Sequence, residues 1–114
     1  MKRTLAVLFA LLLLPIVAAA GVYEDMEEAL ISGDTTWAIK LINRGMDVNS
    51  VDAAGNTLLM QTVNRDNQEF FDYLLKRRAR INTRNRNGET ALSLAAYRGK
   101  LHFVQRLVDS GADV

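Results

Sequence analysis

The chain repeats itself every 33 residues, and this period constrains its fold more than any other feature. Gly55 and Gly88 are one step apart, as are Thr57 and Thr90. Val48, Ile81 and Val114 form a series of three, and so do Leu41, Leu74 and Leu107. The aromatic residues Trp37, Phe70 and Phe103 keep the same spacing. Gly45 and Gly111 lie two periods apart, with Arg78 between them. Concurrent series with one step identify an array of like units. A unit this short has no core of its own, so neighbours must stack to bury its apolar faces, and about three units are the working minimum.

Within a unit the pattern is helical. Leu58, Leu59 and Val63 sit at helical spacing, and Phe70, Phe71, Tyr73, Leu74 and Leu75 give a second short helix with a wide apolar face. Thr57 and Thr90 precede such runs and are expected to accept a backbone N–H at a helix start. Gly45 and Gly111 follow amphipathic runs, where a left-handed residue ends a helix at little steric cost. Arg78 holds the equivalent place and would cost on the order of 1 kcal/mol in that conformation. Trp37, Phe70 and Phe103 are read as core.

On these residues the chain resembles the ankyrin repeat family, whose unit is a turn followed by two helices with a T-P-L-H-x-A signature. In the third unit, Asn85 to Val114, Thr90, Leu92 and Ala95 match the signature, with Ala91 for its proline and Ser93 for its histidine. Gly99 fits the turn between helices, and Gly111-Ala112-Asp113-Val114 the exit. The second unit, Asp52 to Arg84, is looser, with Met60, Thr62, Asp66 and Arg78 at signature, turn and exit positions. The first enters directly at its first helix with Met26, Ala29 and Leu30. The expected fold is an all-α repeat solenoid of about three helix-turn-helix units joined by β-hairpin-like turns, over residues of about 22–51, 52–84 and 85–114.

The first twenty residues read as an address. Lys2 and Arg3 precede the apolar run Leu5 to Leu14, Pro15 breaks it, and Ala18-Ala19-Ala20 offers a cleavage site. The rival reading is a retained anchor, because Thr4 to Tyr23 carries no charge and is about long enough to span a bilayer. Cleavage after Ala20 is preferred because the strongly apolar part is short. It leaves a mature domain of residues 21–114, with the periplasm as the expected destination and a likeness to small exported bacterial ankyrin repeat proteins. No cysteine is present, so disulfides, thiol catalysis and thiolate metal sites are excluded.

Charge is polarised along the chain. Residues 21–60 hold seven acidic and two basic side chains, and residues 61–114 hold six acidic and ten basic. The acidic cluster is Glu24, Asp25, Glu27, Glu28 and Asp34, and the basic one Lys76, Arg77, Arg78, Arg80, Arg84 and Arg86, joined by Arg98. Ordinary solvated surface explains such clusters, and so does a docking patch for an acidic partner. Glu24 and Asp25 also suit the start of a helix. Nucleic acid is excluded by export and by the lack of aromatic residues interleaved with the arginines.

No catalytic constellation, metal site or cofactor site emerges. His102 is the single histidine, and Glu27 and Glu28 are neighbours whose side chains diverge by about 100° on a helix. The resemblance implies a protein-binding module. Its contact-prone positions would be Ala53, Ala54, Asn56, Asn64, Arg65, Arg77, Arg84, Arg86, Asn87, Glu89, Tyr97 and Arg98. The alternatives are an immunity-type inhibitor of a toxin acting in the periplasm, and an accessory factor for a periplasmic enzyme such as a catalase-type stress protein. The chain stops inside the exit of the third unit, which reads like an internal one, with Leu92, Leu94, Leu101, Val104 and Val108 available to a neighbour. Three outcomes are expected there: self-association, a docked partner, or a shortened version of a longer array.

Overall fold

The computed structural model describes residues 21–113. The export segment expected over residues 1–20, and Val114, lie outside the described residues. Residues 21–32 are helical and form α1. They are followed by α2 (Thr35–Asn43), α3 (Leu58–Arg65), α4 (Gln68–Lys76), α5 (Ala91–Tyr97) and α6 (Leu101–Asp109). The second helices of the three units begin at Thr35, Gln68 and Leu101, and α3 and α5 at Leu58 and Ala91, so the 33-residue step reappears in the helix starts.

Cap chemistry sets these starts. Thr57 Oγ1 accepts the N–H of Met60 at 3.2 Å. Thr90 Oγ1 accepts the N–H of Ser93 at 3.1 Å, and the Ser93 hydroxyl accepts the N–H of Thr90 at 2.9 Å, a reciprocal pair that satisfies two otherwise orphaned donors. Asp34 and Asn67 cap α2 and α4 in the same way, accepting from Trp37 and Phe70 at 3.1 Å each. Lys100, at the equivalent place before α6, has no acceptor and makes no side-chain cap.

Chain reversals obey the same step. Every described residue with positive φ falls in one of three columns: Gly33, Asp66 and Gly99 between paired helices; Gly45, Arg78 and Gly111 after the second helix; Gly55 and Gly88 in the hairpins. Arg78 does adopt the left-handed conformation, at φ 60°, and Asp66 does so at φ 59°. An L-residue with a Cβ is held there at a cost of about 1–2 kcal/mol, less for Asp, whose short side chain can bond locally.

The core runs through the units as one body. α3 packs on α4 and α5, α5 on α6, and α2 on α4. Phe70, Phe71, Leu74, Phe103 and Leu107 are completely buried, each contributing about 1.5–3 kcal/mol relative to an exposed side chain. Phe71 and Phe103 meet edge to face with ring centroids 4.7 Å apart, joining α4 to α6. Trp37 departs from the expectation: it is half-buried and packs against the core margin, whereas Phe70 and Phe103 lie within the core. Phe103 faces the unit before it, and among the described residues no unit precedes the first to close over the indole.

Side chains also tie unit to unit. Asn49 Oδ1 accepts the N–H of Arg80 at 2.8 Å, and one period later Asn82 Oδ1 accepts the N–H of Asp113 at 2.9 Å. Arg106 pairs with Asp72 at 2.8 Å and Lys100 with Asp66 at 3.6 Å, both partly exposed, so each contributes at most about 1 kcal/mol. On the third unit Tyr97 is 89% exposed, Leu101 78% and Val108 43%, with Leu92 and Val104 half-buried. Leu94 corrects the expected set, because its side chain turns into the core.

Candidate functional site

Two hairpin arms project between the helix pairs, and their conformation is set by one residue each. In the first arm Val51 and Thr57 pair as an isolated antiparallel bridge. The Asp52 carboxylate accepts the N–H groups of Ala54 at 3.0 Å and Asn56 at 2.8 Å, which bends the chain back on itself. Asn85, one period on, accepts from Asn87 at 3.0 Å and Glu89 at 2.9 Å. The Asn85 amide also donates to Asn56 Oδ1 at 2.8 Å and to Glu89 Oε1 at 3.0 Å. The Arg86 N–H donates to the Ala54 carbonyl at 3.0 Å. The arms are therefore clipped side by side, with Asn85 buried between them.

This clip brings together Ala53, Ala54, Arg84, Arg86 and Asn87, all exposed. Asn56 and Glu89 belong to the same region but are half-buried, each with a side-chain oxygen already engaged by Asn85. Of the remaining expected contact positions, Arg77 follows α4, whose end returns toward the arm side, while Asn64, Arg65, Tyr97 and Arg98 lie at the far ends of α3 and α5. Arg65 closes α3, while Arg77 and Arg98 cap α4 and α5. There a cation complements the partial negative charge of the helix terminus, so a structural role accounts for all three. Tyr97 is fully in solvent at the end of α5, about 10 Å along the helix from the arm. Asn64 is half-buried near the end of α3, its Oδ1 without a hydrogen-bond partner among the described residues. The twelve positions thus form two groups.

Arg84 and Arg86 differ from the helix-end arginines Arg65, Arg77 and Arg98. They sit in non-helical backbone, have no helix end to complement, and make no ion pair among the described residues. Asp52 and Asn85 escaped the sequence reading, although they open the same 33-step turn as Gly55 and Gly88. His102 is exposed, its ring against that of Phe103. Among the described residues no three His, Asp or Glu side chains converge on a metal-sized site, and no helix is long and apolar enough to cross a membrane.

A second feature was not foreseen. A groove of about 540 Å³ opens between α1, the first arm and α3. Met26, Leu30, Met46 and Leu58 form its apolar lining, with Glu24 and Glu27 on the α1 side and Arg65 opposite. The signal was present in the sequence: Tyr23, Met26, Glu27 and Leu30 follow the i, i+3, i+4, i+7 rule that places them on one helix face.

Comparison with known proteins agrees with this architecture. A family model described as ankyrin repeats, in three copies, matches residues 26–114. Inversin of Danio rerio is 36% identical over 89 residues, covering 78% of this chain and 9% of its own length. Ankyrin repeat protein OPG189 of variola virus is 38% identical over 76 residues, covering 65% and 13%. The B-cell lymphoma 3 protein homolog of Mus musculus is 34% identical over 86 residues, covering 75% and 19%. The chain therefore spans less than a fifth of the length of each of these relatives. Helix pairs stacked at a 33-residue step, hairpins organised at that step and a matching family model lead to one conclusion: the chain belongs to the ankyrin repeat family.

Proposed function

We propose that this chain is an exported interaction module that holds an acidic segment of a protein partner through the arginines of its clipped arms. Ankyrin repeats are protein-binding units rather than enzymes, and nothing among the described residues indicates catalysis. The observation that carries the finer reading is the pair of side chains of Arg84 and Arg86, exposed and without an ion pair among the described residues. Their planar, multi-donor head groups suit carboxylates. Export is supported by Lys2-Arg3, the apolar run and Ala18-x-Ala20. Cleavage gives a periplasmic domain of residues 21–114, and intact-mass measurement on periplasmic protein tests it, since a mass retaining residues 1–20 would revive the anchor.

The partner is captured from periplasmic extract and its affinity compared between the wild type and the Arg84→Glu/Arg86→Glu variant by calorimetry. The double reversal weakens binding about tenfold or more while the melt stays unchanged, and affinity falls with salt. Unchanged affinity removes the arms from the site. A toxin encoded beside the gene would sharpen the reading to an immunity-type inhibitor, and a peroxide-defence gene to an accessory factor. Exposure of Tyr97, Leu101 and Val108 supports a second use of the third unit, as a self-association face. Light scattering over a concentration series reads that directly, and a strictly monomeric protein removes it.

A further inference from the structure

The groove beside α1 is lined by three carboxylates, Glu24, Glu27 and Asp52, against one cation, Arg65, so its charge balance is opposite in sign to Arg84 and Arg86. Glu24 and Glu27 line it from one side, three residues apart on the same helix and therefore neighbours on its surface. Both are exposed and neither makes an ion pair among the described residues. Two large apolar side chains, Tyr23 at 50% exposure and Val51 at 51%, also line the groove, together with Met26 and Met46. Like charges one helical turn apart repel, so the pair is poised for a cation. The volume of about 540 Å³ is in the range that holds a few side chains of a ligand.

We infer that this groove takes a basic, apolar segment of a protein partner. An aliphatic or aromatic side chain enters between Tyr23 and Val51 onto the methionine lining, which is unbranched and adapts to its shape. A neighbouring Lys or Arg lies against Glu24 and Glu27, with the face of the Tyr23 ring as a further cation contact. The inference rests on the reading of the chain as a protein-binding module but uses none of the arm arginines. Together the two sites give the partner a direction: its basic, apolar part over the first unit, its acidic part on the arms.

The test selects displayed random dodecapeptides against the full chain and against its Glu24→Gln/Glu27→Gln variant. Both glutamates are exposed, and a thermal melt confirms that the variant is folded. The wild type should enrich peptides with Lys or Arg beside Leu, Ile or Phe. Such a peptide, made synthetically, should bind the Gln variant about tenfold less tightly, the effect of losing two partly desolvated ion pairs. It should also weaken on Tyr23→Ser and with added salt, and keep its affinity for Arg84→Glu/Arg86→Glu. Enrichment of acidic peptides that lose affinity on the arm variant overturns the groove and leaves the proposed function standing. No enrichment at all, or equal affinity for wild type and Gln variant, also overturns it. If neither peptides nor a captured partner respond to either variant, both readings fall. Salt-sensitive self-association abolished by the Gln variant would make a second copy the occupant and refute the inference of a foreign segment.

Discussion

Replacing Arg78 by glycine should stabilise this protein, although the substitution removes a long side chain and restores the more flexible residue. Arg78 has φ 60°, in the column where Gly45 and Gly111 stand. Its side chain is exposed and makes no hydrogen bond or ion pair among the described residues, so truncation loses little contact. Releasing a Cβ from the left-handed region returns about 1–2 kcal/mol. Glycine gives back about 0.4–1 kcal/mol of this through greater freedom of the unfolded chain. The net gain lies between about 0 and 1.6 kcal/mol, and its midpoint of about 0.8 kcal/mol moves the melting temperature of a domain this size up by roughly 3–6 °C. The reverse substitution supplies the control. Gly45 has φ 111°, and a Cβ there meets no atom within 4 Å, so Gly45→Arg tests backbone conformation alone and should lower the melt by at least a comparable amount. Thermal unfolding followed by circular dichroism reads both. A lower melting temperature for Arg78→Gly would show that the arginine makes stabilising contacts that outweigh its strain, and would refute the argument. If stability rises while affinity for the captured partner falls, the strained arginine is retained for binding.

Two further substitutions probe the stack itself. Leu74 is completely buried in the middle unit, so Leu74→Ala should cost about 2–5 kcal/mol, and a thermal melt moving by less than a couple of degrees, against the roughly 4–8 °C expected per kcal/mol, would mean that the repeat register is wrong. Gly55 and Gly88 share nearly the same φ, 79° and 76°, yet a Cβ at Gly55 approaches the Arg86 nitrogen to 3.1 Å while one at Gly88 meets nothing. Gly55→Ala should therefore lower stability in denaturant titration more than Gly88→Ala, and equal losses would show that the two arms do not pack as tightly as the clip requires.

The sequence alone carried the period, and with it the family, the number of helix pairs, the starts of α3 and α5, and the unusual conformation at Arg78. These features are local. A threonine that caps a helix or a residue forced to positive φ acts within four or five residues of itself, and repetition at 33 residues amplifies a weak signal into a clear one. Tertiary structure decided everything that depends on how one unit lies on the next. Asn49 and Asn82 each reach 31 residues ahead to a backbone N–H, and Asn85 reaches back 29 residues to Asn56. No helical or strand spacing predicts such pairs, because the angle and offset between units set them. For the same reason Trp37 and Phe103, equivalent in sequence, differ in burial, and Leu94 turns inward while Leu101 stays in solvent. The expected contact residues separated into two groups because α3 and α5 carry their far ends away from the arms. The acidic groove became visible only when α1 was placed across from Val51 and Leu58. A surface is a property of residues that meet, and in this chain stacking, rather than local chemistry, decides which of them do.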